Sequence, residues 1–220
     1  MPIPEKYLAD FEEDCIYHVY NRTNNKEKLF LSDENMRFFL RKYDQYLSPF
    51  ADTYCWCLLP NHFHFLIKIK SVENIQAYLK SKELKELTPT EKKFIDQQIN
   101  LSELTEQCFK RFFQSYSLAF NKQHNRKGNL FYKPFKRLKL EKETHFTQAI
   151  IYIHANPFKH KLAKDFTGWQ WSSWQTMVST SPTRLLRDEI LAWFGNKDRF
   201  IEAHKSMIQY YEESNAAIED

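Results

Sequence analysis

The stretch Asn61-His62-Phe63-His64-Phe65-Leu66-Ile67-Lys68-Ile69 decides how this chain folds. Successive side chains on a β-strand point to opposite faces. Phe63, Phe65, Ile67 and Ile69 therefore share one face, which must be buried under helices, and His62, His64, Leu66 and Lys68 share the other, open one. Residues 52–59 (DTYCWCLL) also have strand composition, and Pro60-Asn61 between the two runs is a tight-turn signal, so they predict a hairpin. Upstream, Ile16–Arg22 reads as a strand, and Ser32 followed by Asp33 and Glu34 predicts a capped helix running to about Leu47 and ended by Pro49. Downstream, helices are expected over Val72–Lys80 and from Leu101 to about His124, with an exposed helical arm at 81–100 between them. Phe109, Phe113, Tyr116 and Phe120 lie on one face of the second helix and belong to the core. Leu130–Leu140 reads as one or two strands broken at Pro134, and a helix capped by Thr144 should run to Ala155 and stop at Asn156-Pro157. Helices at Arg187–Phe194, closed by Gly195, and Phe200–Tyr211 form a C-terminal extension. The order predicts an α+β fold, an antiparallel sheet with helices on one face.

Composition narrows the function. The chain has 220 residues, 42% hydrophobic and 27% charged, which suits one sizeable domain. Its three glycines, Gly128, Gly168 and Gly195, exclude the glycine-rich loops that cradle nucleotide phosphates, so no nucleotide cofactor is expected. Apolar runs reach only about six residues, which predicts neither a membrane span nor a signal peptide. Cys15, Cys55, Cys57 and Cys108 are expected as reduced thiols, with Cys55 and Cys57 buried as small apolar side chains. Both chain ends are acidic. The densest basic segment, 121–142, holds Lys122, Arg126, Lys127, Lys133, Lys136, Arg137, Lys139 and Lys142 against Glu141 alone, with Phe131, Tyr132 and Phe135 interleaved. Cations replace phosphate counterions and rings stack on bases, so this segment suits nucleic acid; a solvated hairpin with an aromatic inner face would read the same way.

Two imidazoles two residues apart on one strand face can reach a single metal ion, and they equally fit a solvated polar face. In the helix after residue 144, Phe146, Ile150 and Ile153 form an apolar stripe, while Gln148, Tyr152 and Asn156 recur on another face. An Asn amide oxygen can be a third ligand and a Tyr hydroxyl a nucleophile; spacing alone allows a half-buried Tyr and an Asn that only ends the helix.

Tyr17-His18-Val19-Tyr20-Asn21-Arg22, Leu59-Pro60-Asn61-His62-Phe63-His64 and Tyr152-Ile153-His154-Ala155-Asn156-Pro157 together resemble the single-tyrosine HUH transposases, and among them the REP-associated tyrosine transposases. Leu130–Lys136 and Trp169–Trp174 are similar to the same branch, so the resemblance runs in order over residues 13–178 and leaves 179–220 as the helical extension. It implies a ferredoxin-like sheet packed with helices. It also implies Tyr152 as nucleophile, His62, His64 and Asn156 as ligands of a divalent Mg or Mn ion, and a 5′-phosphotyrosine intermediate in cleavage and rejoining of single-stranded or hairpin DNA. Arg22, Arg126, Lys127, Lys133, Lys136, Arg137 and Lys139 are the expected DNA contacts. A homodimer acting in the cytoplasm at the nucleoid is the expected setting. Three other readings stay open on the residues: a non-catalytic single-strand binder on the same sheet, a metal-dependent hydrolase with water as nucleophile, and a purely structural protein in which the histidine pair and the Tyr–Asn pair are coincidence.

Overall fold

A computed structural model describes residues 4–24 and 27–213. Four strands, β1 (Ile16–Arg22), β2 (Ala51–Leu59), β3 (His62–Ile69) and β4 (Lys136–Leu140), form one sheet in the order β2-β3-β1-β4. All neighbours are antiparallel, with Tyr20 opposite His64 on β3 and opposite Lys136 on β4, and Cys57 opposite His64 on the other side. Helices α1 (Asp33–Leu47) and α4 (Leu101–Gln123) separate the strands as β-α-β-β-α-β, the ferredoxin-like arrangement. Between β3 and α4 lie α2 (Val72–Lys80) and α3 (Pro89–Ile95); after β4 come α5 (Glu143–Lys159), α6 (Trp174–Val178), α7 (Arg187–Trp193) and α8 (Lys197–Glu213). No helix among the described residues is long and apolar enough to cross a membrane.

The α1 and α4 boundaries follow from their caps. Ser32 accepts a hydrogen bond from the Asn35 N–H, and Asn100 and Glu103 form a reciprocal capping box. Both helices cover the face that carries Phe63 and Phe65. Phe39, Phe109, Phe112 and Tyr116 are buried there, and Tyr43 stacks on Phe65 with ring centroids 4.1 Å apart.

The expectation of helices on one sheet face is corrected. The His62/His64 face is also covered over much of its area, by a second core of Tyr54, Cys55, Cys57, Leu59 and Leu66 under Ile150 and Ile153 of α5, with Trp174, Ile190 and Phe200 beyond. The physical reason lies in β2 and β3, where apolar side chains alternate onto both faces, as strands buried on two sides require. The C-terminal helices α7 and α8 thus bury Ile190 and Phe200 in the core that seats α5. The Trp169–Trp174 segment runs along the outer edge of β2, where Leu58 N–H donates to the Trp171 carbonyl and Ser173 N–H to the Trp56 carbonyl, so that edge is not left open.

Helix α5 differs from its expected limits. It begins at Glu143 with Lys142 as an N-cap that makes no side-chain bond, and it continues through Asn156 and Pro157 to Lys159. Pro157 removes one helical N–H, yet Ile153, Asn156 and Pro157 are buried, and this packing outweighs the local break signal. The expected strand at 130–140 reduces to Lys136–Leu140, with Phe131 joined to Thr23 by an isolated bridge.

Candidate metal and nucleophile site

The open half of the second sheet face holds the site. β1 presents His18, Tyr20 and Arg22, β3 presents His62 and His64, and β4 presents Lys136, each set by strand alternation and register. Helix α5 crosses above. Its Tyr152 ring lies 5.7 Å from the His64 ring and 5.9 Å from the His18 ring, edge-on to both. Two turns further along, the ring of His160 at the helix C-cap lies 4.9 Å from that of His62. Residues 152, 156 and 160 form one i, i+4, i+8 row on a helix. Both ends of that row touch the histidines of β3, so its middle member, Asn156, faces the space between them. Tyr152, His62 and His64 therefore lie together within one chain, with Asn156 on the helix row that joins Tyr152 to His160.

The hydrogen bonds define which atoms are offered. His62 Nδ1 lies 2.7 Å from Asn61 Oδ1, an acceptor, so Nδ1 is the donor in this contact. His64 Nδ1 lies 2.9 Å from His18 Nε2. Asn156 is fully buried and its amide donates to the Tyr152 carbonyl at 2.8 Å. That leaves Oδ1 of Asn156 and Nε2 of His64 buried without a hydrogen-bond partner among the described residues. Unpaired buried acceptors are costly, and a cation is one partner that would satisfy both. Burial lowers the His18 pKa to about 4. His64 is pushed well below the usual histidine range, first by burial and then by His18, His62, Lys159 and His160. Both imidazoles are thus neutral at pH 7, the form that ligates metal. No three His, Cys, Asp or Glu side chains among the described residues are arranged to hold a metal ion, so a centre here depends on the Asn156 amide oxygen as its third donor.

The cation beside Tyr152 is Lys159, whose Nζ sits 4.1 Å from the ring centroid. Lys68 shares the histidine face but is engaged with Asp14 at 3.4 Å. Sequence reasoning did not single out Lys159, nor did it give His18 a role. The available signal for Lys159 was its i+7 spacing from Tyr152 on one helix face.

The seven expected DNA contacts separate. Arg22 is exposed on the site face with its guanidinium 5.7 Å from the Tyr132 ring centroid, and Lys136 lies 5.3 Å from the Tyr20 ring centroid and 5.2 Å from that of Tyr7. Lys127 and Lys133 are exposed in the connection before β4. Arg126 is bound to Glu27 at 2.6 Å and to the carbonyls of Gly128 and Asn129, and Lys139 is paired with Glu12 at 2.7 Å. Arg137 is a correction: it is 5% exposed, turned to the α4 side, and held by Glu106, the Ala9 carbonyl and the rings of Phe11 and Phe135. Register explains the difference, since Arg137 follows Val19 onto the inner face while Lys136 follows Tyr20 onto the outer one.

Fold and site together define an α+β protein with a ferredoxin-like sheet that carries a histidine pair under a tyrosine-bearing helix. No protein-family model matches the sequence, and no curated protein matches it. Among solved structures, that of a REP-associated tyrosine transposase bound to a REP hairpin is similar, with a TM-score of 0.55 and 13% identity over 79% of this chain and 86% of that one. At this identity the likeness is one of fold.

Proposed function

We propose that this protein is a metal-dependent single-stranded DNA endonuclease and strand transferase of the tyrosine-transposase kind, acting on hairpin DNA. The observation that carries the reading is the approach of the Tyr152 ring to 5.7 Å from His64 in the same chain, beside the orphaned Oδ1 of Asn156 and Nε2 of His64. The solved transposase of the same fold is bound to a REP hairpin, which supports a hairpin nucleic acid as the partner.

In this reading the Tyr152 Oη attacks the scissile phosphorus. A phosphotyrosine O–P bond forms as the bond from phosphorus to the 3′ oxygen breaks. The phenol gives up one proton and the departing 3′ oxygen takes one, so a free 3′-hydroxyl and a 5′-phosphotyrosine result. The linkage keeps the phosphodiester energy, and rejoining needs no nucleotide, in keeping with the lack of glycine-rich phosphate loops. His62, His64 and Asn156 would hold a divalent ion, whose charge stabilises the phosphate as negative charge builds on it. Two imidazoles and one amide oxygen suit Mn²⁺, whereas Mg²⁺ favours oxygen ligands alone. Lys159, whose Nζ lies 4.1 Å from the Tyr152 ring centroid, is the side chain placed to accompany the reacting phenol. Arg22 and Lys136 meet the DNA backbone, with Tyr132 exposed for base stacking. A homodimer acting on DNA in the cytoplasm completes the proposal.

The deciding experiment incubates the protein with a labelled hairpin oligonucleotide bearing single-stranded flanks, in Mn²⁺. Wild type should form a covalent adduct that survives a denaturing gel, and Tyr152→Phe should form none. An adduct of unchanged yield from the variant removes Tyr152 from the role. Cleavage without adduct would make water the nucleophile, and metal-independent binding without cleavage would make the protein a binder only.

A further inference from the structure

His18 and His64 are not direct cross-strand partners. His18 faces Leu66 and His64 faces Tyr20, so the two imidazoles meet on the diagonal across β1 and β3, where only long side chains reach each other. They close to 2.9 Å between His18 Nε2 and His64 Nδ1, both side chains being more than nine-tenths buried. The His18 ring is held in turn, stacked on Tyr20 at 4.8 Å and edge-on to Tyr152 at 5.9 Å. One proton is shared across the contact, and its location decides what His64 offers on its far side. With the proton on His18, His64 would carry its own on Nε2, a buried donor with no acceptor among the described residues. With the proton on His64 Nδ1, His18 accepts, and the His64 Nε2 lone pair is left free for a cation.

We infer that His18 is a positioning residue: it accepts the His64 Nδ1 proton, and so holds His64 in the tautomer and ring orientation that direct Nε2 at a divalent cation. This rests on the metal-dependent reading of the site. A hydrogen bond of this kind, behind a ligating imidazole, fixes the ligand before the ion arrives, and its loss generally costs 10- to 100-fold in metal affinity.

The test compares His18→Gln with His18→Asn, with Mn²⁺ itself as the probe. Both variants keep a polar amide, but only Gln reaches the position of the imidazole Nε2. Mn²⁺ affinity is read from the electron paramagnetic resonance signal of free Mn²⁺, and thermal midpoints of the metal-free proteins check folding. Wild type should bind, and His64→Ala should not. His18→Gln should stay within about threefold of wild type, and His18→Asn should lose roughly 10- to 100-fold at a similar midpoint. Equal affinities for the two variants, or wild-type affinity in both, overturn the role of His18 while leaving the metal site standing. Binding by wild type that does not exceed that of His64→Ala overturns the metal site itself, and the role of His18 with it.

Discussion

Asn156 carries two jobs in one amide. Its nitrogen donates to the Tyr152 carbonyl, one turn back on the same helix, which fixes the rotation of the carboxamide and leaves Oδ1 without a partner among the described residues. Asn156→Ala should therefore lose the Mn²⁺-induced rise in thermal midpoint, while Asn156→Asp, which keeps an oxygen and adds charge, should retain or enlarge it. Equal rises in wild type and Asn156→Ala would take the amide oxygen out of the ligand set. The histidine pair, the tyrosine and this asparagine stood out in the sequence as periodic positions, but spacing equally allowed a solvated polar face and a helix-ending Asn, and their roles came from the family resemblance. His18 was quoted there as part of a motif without a task. Its task comes from a contact across two strands and 46 positions, which no local spacing encodes.

At the scale of elements, β4 shows how little a basic run says about where its charges go. Lys136 and Arg137 are neighbours, yet one stands beside Tyr20 on the site face and the other is buried against Glu106. Lys136→Glu should weaken binding of single-stranded DNA and flatten its dependence on salt, with little change in folding stability. Arg137→Ala should instead lower stability, by removing a buried guanidinium held by Glu106, the Ala9 carbonyl and two phenyl rings, with DNA affinity of the folded protein preserved. Fluorescence anisotropy over a salt series and urea unfolding measure the two, and a swap of these effects between the variants would reverse the assignment of faces. Helix α5 makes the same point for chain breaks. Asn156-Pro157 reads as a stop because of its local chemistry, but burial of Ile153, Asn156 and Pro157 carries the helix to Lys159. That added turn brings Lys159 over Tyr152 and His160 beside His62.

For the molecule as a whole, the C-terminal helices are the support on which α5 rests. His154 of α5 bonds to His204 of α8 at 3.1 Å and to Ser173 at 2.8 Å, and Ser173 in turn holds the Trp56 backbone of β2. His204 is buried, and this lowers its pKa from 6.5 to about 4. The folded state thus favours the neutral ring, and the unfolded chain binds the extra proton between those two values. Its contribution to stability is complete above pH 6.5, falls as the pH drops toward 4, and levels off below. At about 1.4 kcal/mol per unit, the loss is on the order of 3 kcal/mol. Urea unfolding of the metal-free protein at pH 7.5 and pH 4.5 should show the drop, and His204→Gln should shrink it by that amount. An equal drop in the variant would assign the acid sensitivity to other groups.

The sequence by itself determined the β-α-β-β-α-β order, the hairpin and the aromatic core face. These follow from period-2 and period-3.6 patterns and from caps, which are local. Only the tertiary structure decided that the histidine face is roofed by α5 and braced by α8, that His18 backs His64, and that Lys136 and Arg137 part company. Those outcomes depend on strand register and on which buried surfaces meet, and both are set by contacts between residues far apart in the chain.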